Sequence, residues 1–182
     1  DLQGPKLRVG KIANGPITVP TDSEIVLTLR SVPGDPQTVT LPHPELVKEV
    51  KAGQRLLLDD GALEFQVIET SETDLRCKVI TGGPLSSNKG VSAPGANLSL
   101  SAITPKDRED VKFAAAQQVD FIALSFVRSG DDVCELRGLL DDLGADIPIV
   151  VKIEKSEALD HLEDILTCTN AVMIARGDLG VE

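Results

Sequence analysis

Apolar and polar residues alternate in short runs along the first half of the chain, at residues 17–19, 24–29, 55–58, 63–68 and 75–80. A period of two marks half-buried strands. Between the runs lie breaker clusters, Pro33-Gly34-Asp35-Pro36, Asp59-Asp60-Gly61 and Gly82-Gly83-Pro84, which redirect the backbone. Short strands spaced by such turns predict a small all-β barrel or sandwich. Residues 45–50 add one helical turn.

After Leu100 the pattern lengthens. Thr104-Pro105-Lys106-Asp107 reads as an N-cap, a proline at the first helical position and an acid at the third, opening a helix to about Gln118. An apolar strand follows at 121–126. Ser129, with Asp132 three residues on, opens a second helix to about Leu143 before Gly144. The next strand is 147–154, the next helix 156–167 and the last strand 171–175. Strand and helix recur every roughly 25 residues, the repeat of a parallel α/β barrel or open sheet; periodicity does not choose between them.

Composition sharpens this outline. Of 182 residues 41% are hydrophobic but only 2% aromatic, with no Trp or Tyr, so the core must be aliphatic. A formal net charge of −11 argues against nucleic acid or an anionic membrane surface as partner, because both attract basic surfaces. No signal peptide and no apolar run of about 18 residues is present, so a cytoplasmic location is expected. Cys77, Cys134 and Cys168 are far apart in sequence and form no CxxC pair, which suits a reducing compartment with inert thiols. The opening, Asp1-Leu2-Gln3-Gly4-Pro5-Lys6-Leu7-Arg8, lacks an initiator Met and is read as the end of an element in an excised piece.

Candidate chemistry sits at one place in the repeat. Ser125 and Arg128 follow the first of its strands, Lys152 and Glu154 end the second, and Arg176-Gly177-Asp178 follows the third. In parallel α/β folds the carboxyl ends of strands face the active site, so these groups can converge. Lys152 and Glu154, two apart in a β-branched strand, point the same way. Glu154 and Asp178 suit Mg²⁺ or Mn²⁺, which take oxygen ligands and rarely have a full protein cage. Lys152 could act as a point charge on a phosphoryl group or an enolate oxygen. Gly177 allows close backbone approach, and a helix opening near Leu179 could offer amides to a substrate carboxylate. His43 and His161 read as surface residues rather than bases.

Lys152-Ile153-Glu154 followed by Ala175-Arg176-Gly177-Asp178-Leu179-Gly180-Val181-Glu182 resembles pyruvate kinase. So do residues 1–8, Gly82-Gly83-Pro84-Leu85-Ser86-Ser87-Asn88-Lys89-Gly90-Val91, and Ser125-Phe126-Val127-Arg128. The matches are ordered and run from end to end. The fold this implies is α/β, a partial TIM (β/α)8 barrel carrying an inserted all-β, barrel-like lid domain: residues 1–4 end a barrel strand, 5–98 form the lid, and 99–182 supply about three βα units. The resemblance further implies glycolytic phosphoryl transfer from phosphoenolpyruvate to ADP, giving pyruvate and ATP. Glu154 and Asp178 would hold the metal, Lys152 would stabilise the transferring group, and Gly177 and Asp178 would meet the substrate's carboxylate end. Arg8 and Lys89 would face nucleotide phosphates, and the parent would be a homo-oligomer, a tetramer.

One departure is informative. Around the region that binds a monovalent cation in many pyruvate kinases, this chain has Asp1, Leu2-Gln3 and then Lys6 where those enzymes carry Thr-Lys and then Glu. Relatives with Leu-Gln and Lys are associated with K⁺ independence, with Lys6 as the internal substitute. The family's remaining barrel strands and C-terminal domain are missing, so the 182-residue piece is expected to be inactive by itself. Two other readings stay open: a metal-dependent pyruvate aldolase or lyase on a similar barrel, and a non-catalytic nucleotide-binding module.

Overall fold

A computed structural model of the chain describes residues 1–96 and 98–181; Asn97 and Glu182, the last residue of the motif quoted above, lie outside them. The chain divides into two compact units, one made of Leu7–Ser99 and the other of Asp1–Lys6 with Leu100–Gly180.

In the first unit the alternating runs become strands β1 (Ile17–Val19), β2 (Glu24–Thr28), β4 (Arg55–Leu58), β5 (Leu63–Thr70) and β6 (Asp74–Thr81). They are joined by β3 (Thr38–Thr40), β7 (Gly83–Leu85), β8 (Val91–Ser92) and helix α1 (Pro44–Glu49). A six-stranded sheet runs β3-β2-β6-β5-β4-β8, and β1 pairs with β7 in a second, two-stranded sheet. The period of two decides what is inside: along β6, Leu75, Cys77 and Val79 are buried while Arg76, Lys78 and Ile80 face water. With Ile25, Leu27, Leu56, Leu58, Leu63, Phe65 and Val67 they build one aliphatic core around a single phenylalanine. Each such side chain contributes on the order of 2 kcal/mol by leaving water.

Three strands here are absent from the sequence reading. β7 runs through Gly83-Pro84, expected to be part of a turn; among the described residues it pairs only with β1, so proline sits on an edge where its missing N–H costs no ladder bond. β3 and β8 are two or three residues long, too short for a periodic signal.

The second unit has α2 (Pro105–Ala116), β9 (Ile122–Leu124), α3 (Gly130–Asp142), β10 (Ile149–Ile153), α4 (Glu157–Asp160), α5 (Leu162–Cys168), β11 (Ala171–Ile174) and α6 (Arg176–Leu179). β9, β10 and β11 form a parallel sheet in the order β11-β10-β9, with Val151 opposite both Leu124 and Val172. Ile149, Val151 and Ile153 pack on Val133, Leu136 and Leu140 of α3 and on Ile165 of α5 in one core. The opening residues lie along the outer edge of β9: Leu2 N–H donates to Ala123 O at 2.8 Å, and Ser125 Oγ–H donates to Leu2 O at 2.8 Å.

Two details depart from expectation. The helix read at 156–167 is broken at His161, whose φ of −112° and ψ of 20° end α4 and begin α5. The helix expected to open near Leu179 instead closes there, because Arg176-Gly177-Asp178-Leu179 is a single turn with Gly180 as its C-cap. Among the described residues no helix is long and apolar enough to cross a membrane.

Candidate active site

β10 places Lys152 and Glu154 on the same side, as alternation requires. Glu154 is 2% exposed. Its Oε1 is 2.7 Å from Lys152 Nζ, and its Oε2 accepts the Phe126 N–H at 2.9 Å. Lys152 Nζ also donates to Ser125 Oγ at 3.2 Å and lies 3.4 Å from Asp1 Oδ2. The ammonium is therefore held by side chains from the opening residues, from the end of β9 and from β10 itself. A charge this enclosed interacts more strongly than one in bulk water.

Not every expected residue joins this cluster. Asp178 and Gly177 are exposed on α6, which Ala175 N–H ties to β10 by donating to Ile153 O at 3.1 Å. Leu2 is buried at 3% exposure in the hydrophobic core. Lys6 is exposed, its N–H donating to Gly4 O at 2.9 Å, and among the described residues it enters no salt bridge.

Arg8 and Lys89 come together within the first unit. Arg8 bridges to Gly90, its guanidinium donates to Asn88 O at 2.6 Å, and its N–H donates to His43 Nε2 at 2.8 Å. Lys89 Nζ is 2.7 Å from Asp59 Oδ1. Asp59 and Asp60 both adopt left-handed backbone, φ 52° and 54°, and Gly61 completes the turn that presents them. His43 is half-buried rather than a plain surface residue: burial holds its ring below the usual imidazole range, against the opposing pull of its bond to the Arg8 backbone and of Glu45.

Two residues of the second unit, beside the Lys152 cluster, carry little sequence signal. Asp107, expected only as a cap, is fully buried. Oδ1 accepts the N–H groups of Gln3 and Gly4 at 2.9 and 3.3 Å, and Oδ2 accepts Thr104 N–H at 2.9 Å and Thr104 Oγ–H at 2.5 Å. One carboxylate thus caps α2 and anchors the opening segment that bears Asp1. Phe126 has φ 57°, a costly conformation for a bulky residue, and its N–H is the one that meets Glu154. Cys134 and Cys168, far apart in sequence, are neighbours in space, their sulfurs lying 3.5 Å from each other.

Glu154 and Asp178 offer hard carboxylate oxygens, the donor type that Mg²⁺ and Mn²⁺ prefer. Among the described residues each Glu154 oxygen has one partner, and each keeps a further lone pair. Among the described residues no three His, Cys, Asp or Glu side chains gather to form a cage. The residues present fit a cation held by one or two carboxylates, with water and substrate oxygens completing its shell.

The family model described as pyruvate kinase, barrel domain, matches residues 1–182, which resolves the barrel against the open sheet. Pyruvate kinase 2 of Synechocystis sp. is 47% identical over 186 residues, covering 100% of this chain and 32% of that protein. The pyruvate kinase of Corynebacterium efficiens is 43% identical over 182 residues, covering 100% of this chain and 38% of that protein. That of Staphylococcus aureus is 39% identical over 184 residues, covering 100% and 32%. The chain spans about a third of the length of these curated relatives.

Proposed function

Because the chain belongs to the pyruvate kinase family, we propose that it is part of an enzyme that moves the phosphoryl group of phosphoenolpyruvate to ADP. A β-phosphate oxygen of ADP bonds to phosphorus as the bond to the enol oxygen breaks, and the released enolate takes up a proton to become pyruvate. The observation that carries this reading is the position of Lys152, an ammonium fixed by Glu154, Ser125 and Asp1 at the carboxyl end of a parallel strand. Phosphoryl transfer asks for positioned positive charge more than for covalent chemistry.

In this reading Lys152 faces the transferring group and neutralises charge that builds on its oxygens. Glu154 and Asp178 are the residues that would hold Mg²⁺ or Mn²⁺, which supplies Lewis-acid neutralisation of phosphate oxygens when bound. Gly177 and Asp178 meet the carboxylate end of the substrate. Arg8 and Lys89 meet the nucleotide phosphates; Lys89 would then exchange its bond to Asp59 for one to phosphate, so Asp59 sets how readily it is released. Lys6 stands in for a bound K⁺ as a tethered ammonium. The parent works in the cytoplasm as a homo-oligomer, a tetramer.

The test is a lactate-dehydrogenase-coupled assay on the full-length protein and on the 182-residue chain, with Mg²⁺ and in sodium-only, potassium-only and tetramethylammonium buffers. ADP-dependent turnover by the full-length protein in all three is expected, with a fall on the order of a thousandfold for Lys152→Met and no measurable turnover by the shorter chain. Turnover by the short chain near the full-length rate would refute its inactivity, selective potassium activation would refute the role of Lys6, and pyruvate release by aldol cleavage without ADP would refute the reaction.

A further inference from the structure

α3 and α5 follow consecutive parallel strands and pack side by side in one core. Their backbones approach closely at Gly130, where a Cβ would sit 3.1 Å from Asp164 O. Residues four apart lie on the same helix face. Two helices running in the same direction that touch at Gly130 and Asp164 should therefore meet again one turn on, at Cys134 and Cys168. They do, with the sulfurs 3.5 Å apart. Arg137, one turn further along α3, donates to Asn170 Oδ1, just past the end of α5, at 2.8 Å, and to Ile147 O, just before β10, at 3.0 Å. The pair is open to solvent, Cys134 exposed and Cys168 partly so.

We propose that Cys134 and Cys168 are an oxidative modification site, forming a reversible intramolecular disulfide when a hydroperoxide reacts with one of them. The sulfur of one cysteine attacks the outer peroxide oxygen, the O–O bond breaks, and water or an alcohol leaves with a sulfenic acid remaining on the protein. The second sulfur attacks the sulfenyl sulfur, the S–O bond breaks and water leaves. Two thiols give up two protons and two electrons, and the peroxide is reduced by the same two electrons. The sulfurs must close to about 2.0 Å, a shift of well under an ångström for each.

The surroundings set the conditions. Cys134 donates to Cys168 and keeps its proton to higher pH than an ordinary thiol, so attack by Cys134 quickens as pH rises. In a reducing compartment the bond would be transient. Cys77 is a contrast inside the same chain: it is fully buried, and burial pushes its thiol up to about 12. The closed loop contains β10 with Lys152 and, just past its end, Glu154, so the cross-link constrains the segment that carries these two residues.

The experiment treats the 182-residue chain with hydrogen peroxide, blocks remaining thiols by alkylation and maps a non-reducing digest by mass spectrometry, alongside the same treatment in urea. The expected result is an intact mass lower by two hydrogens and a fall in free thiols from three to one. The Cys134–Cys168 peptide should dominate, and the thermal midpoint should rise by several degrees and return with dithiothreitol. Cys134→Ser and Cys168→Ser each abolish the link and the rise, while Cys77→Ser leaves both. Sulfinic acids on separate cysteines, cross-linked dimers, or the same mixture of pairings in native buffer as in urea would overturn the proposal.

Discussion

A carboxylate as enclosed as Glu154 has no water to fall back on, and both its oxygens are engaged, Oε1 with the Lys152 ammonium and Oε2 with the Phe126 N–H. Removing its charge leaves Lys152 with only the longer contacts to Ser125 and the exposed Asp1. Glu154→Gln is therefore expected to destabilise the unit by about 3 kcal/mol, since an uncompensated enclosed charge is costly. Lys152→Met in the same chain should restore part of this, because replacing both partners removes the orphaned ion, with a coupling of about 1–3 kcal/mol. The chain has no Trp or Tyr, so urea unfolding is followed by far-UV circular dichroism; additive losses in the double variant would contradict the pairing. At this scale the sequence was informative where period alone decides, as for Lys152 and Glu154. It was silent where a contact bridges distant segments: Asp107 to Gln3, or Cys134 to Cys168, depends on which elements become neighbours, and local spacing does not carry that. The left-handed backbone of Phe126 has no signal either, since nothing in its side chain favours φ 57°.

Elements were legible in proportion to their length. α2 and α3 have capping residues and periodic faces, and their boundaries follow from Thr104 and Ser129; the Thr104 box is complete, with Asp107 N–H donating to Thr104 Oγ1 at 3.1 Å. β3, β7 and β8 exist because a neighbouring strand offers partners. The break between α4 and α5 falls at His161, which no proline or glycine announces. The turn between β6 and β7 shows what a short connection can require. A Cβ on Gly82 would lie 2.3 Å from Val19 O and 2.5 Å from Thr21 N, both backbone atoms that cannot rotate away. Gly82→Ala should therefore push β1 off β7 and cost on the order of 3 kcal/mol. At Gly83, next in the chain, a Cβ meets nothing within 4 Å, so Gly83→Ala should be close to neutral. Equal urea midpoints for the two variants would show that the turn accommodates a side chain after all.

For the molecule as a whole, two opposing features set its behaviour in solution. β11 is uncovered on both faces, with Val172, Met173 and Ile174 at 42%, 49% and 62% exposure, and Phe121 and Phe113 are exposed as well. Consecutive exposed apolar residues on an edge strand favour association with another chain. Against this stands the net charge of −11, which keeps copies apart over a range set by salt. The Debye length falls from roughly 20 Å at about 0.02 M salt to roughly 4 Å at about 0.5 M. At the lower salt repulsion should keep copies from reaching β11 contact distance, and at the higher it no longer can. The 182-residue chain is therefore expected to grow in hydrodynamic radius by light scattering as salt is raised, and to enhance the fluorescence of an apolar dye at all salt concentrations. Ile174→Lys, which places a charge on the most exposed position of the strand, should suppress the growth more than the dye signal, because Phe113 and Phe121 remain. A radius independent of salt, or growth unchanged by Ile174→Lys, would locate the sticky surface elsewhere than β11.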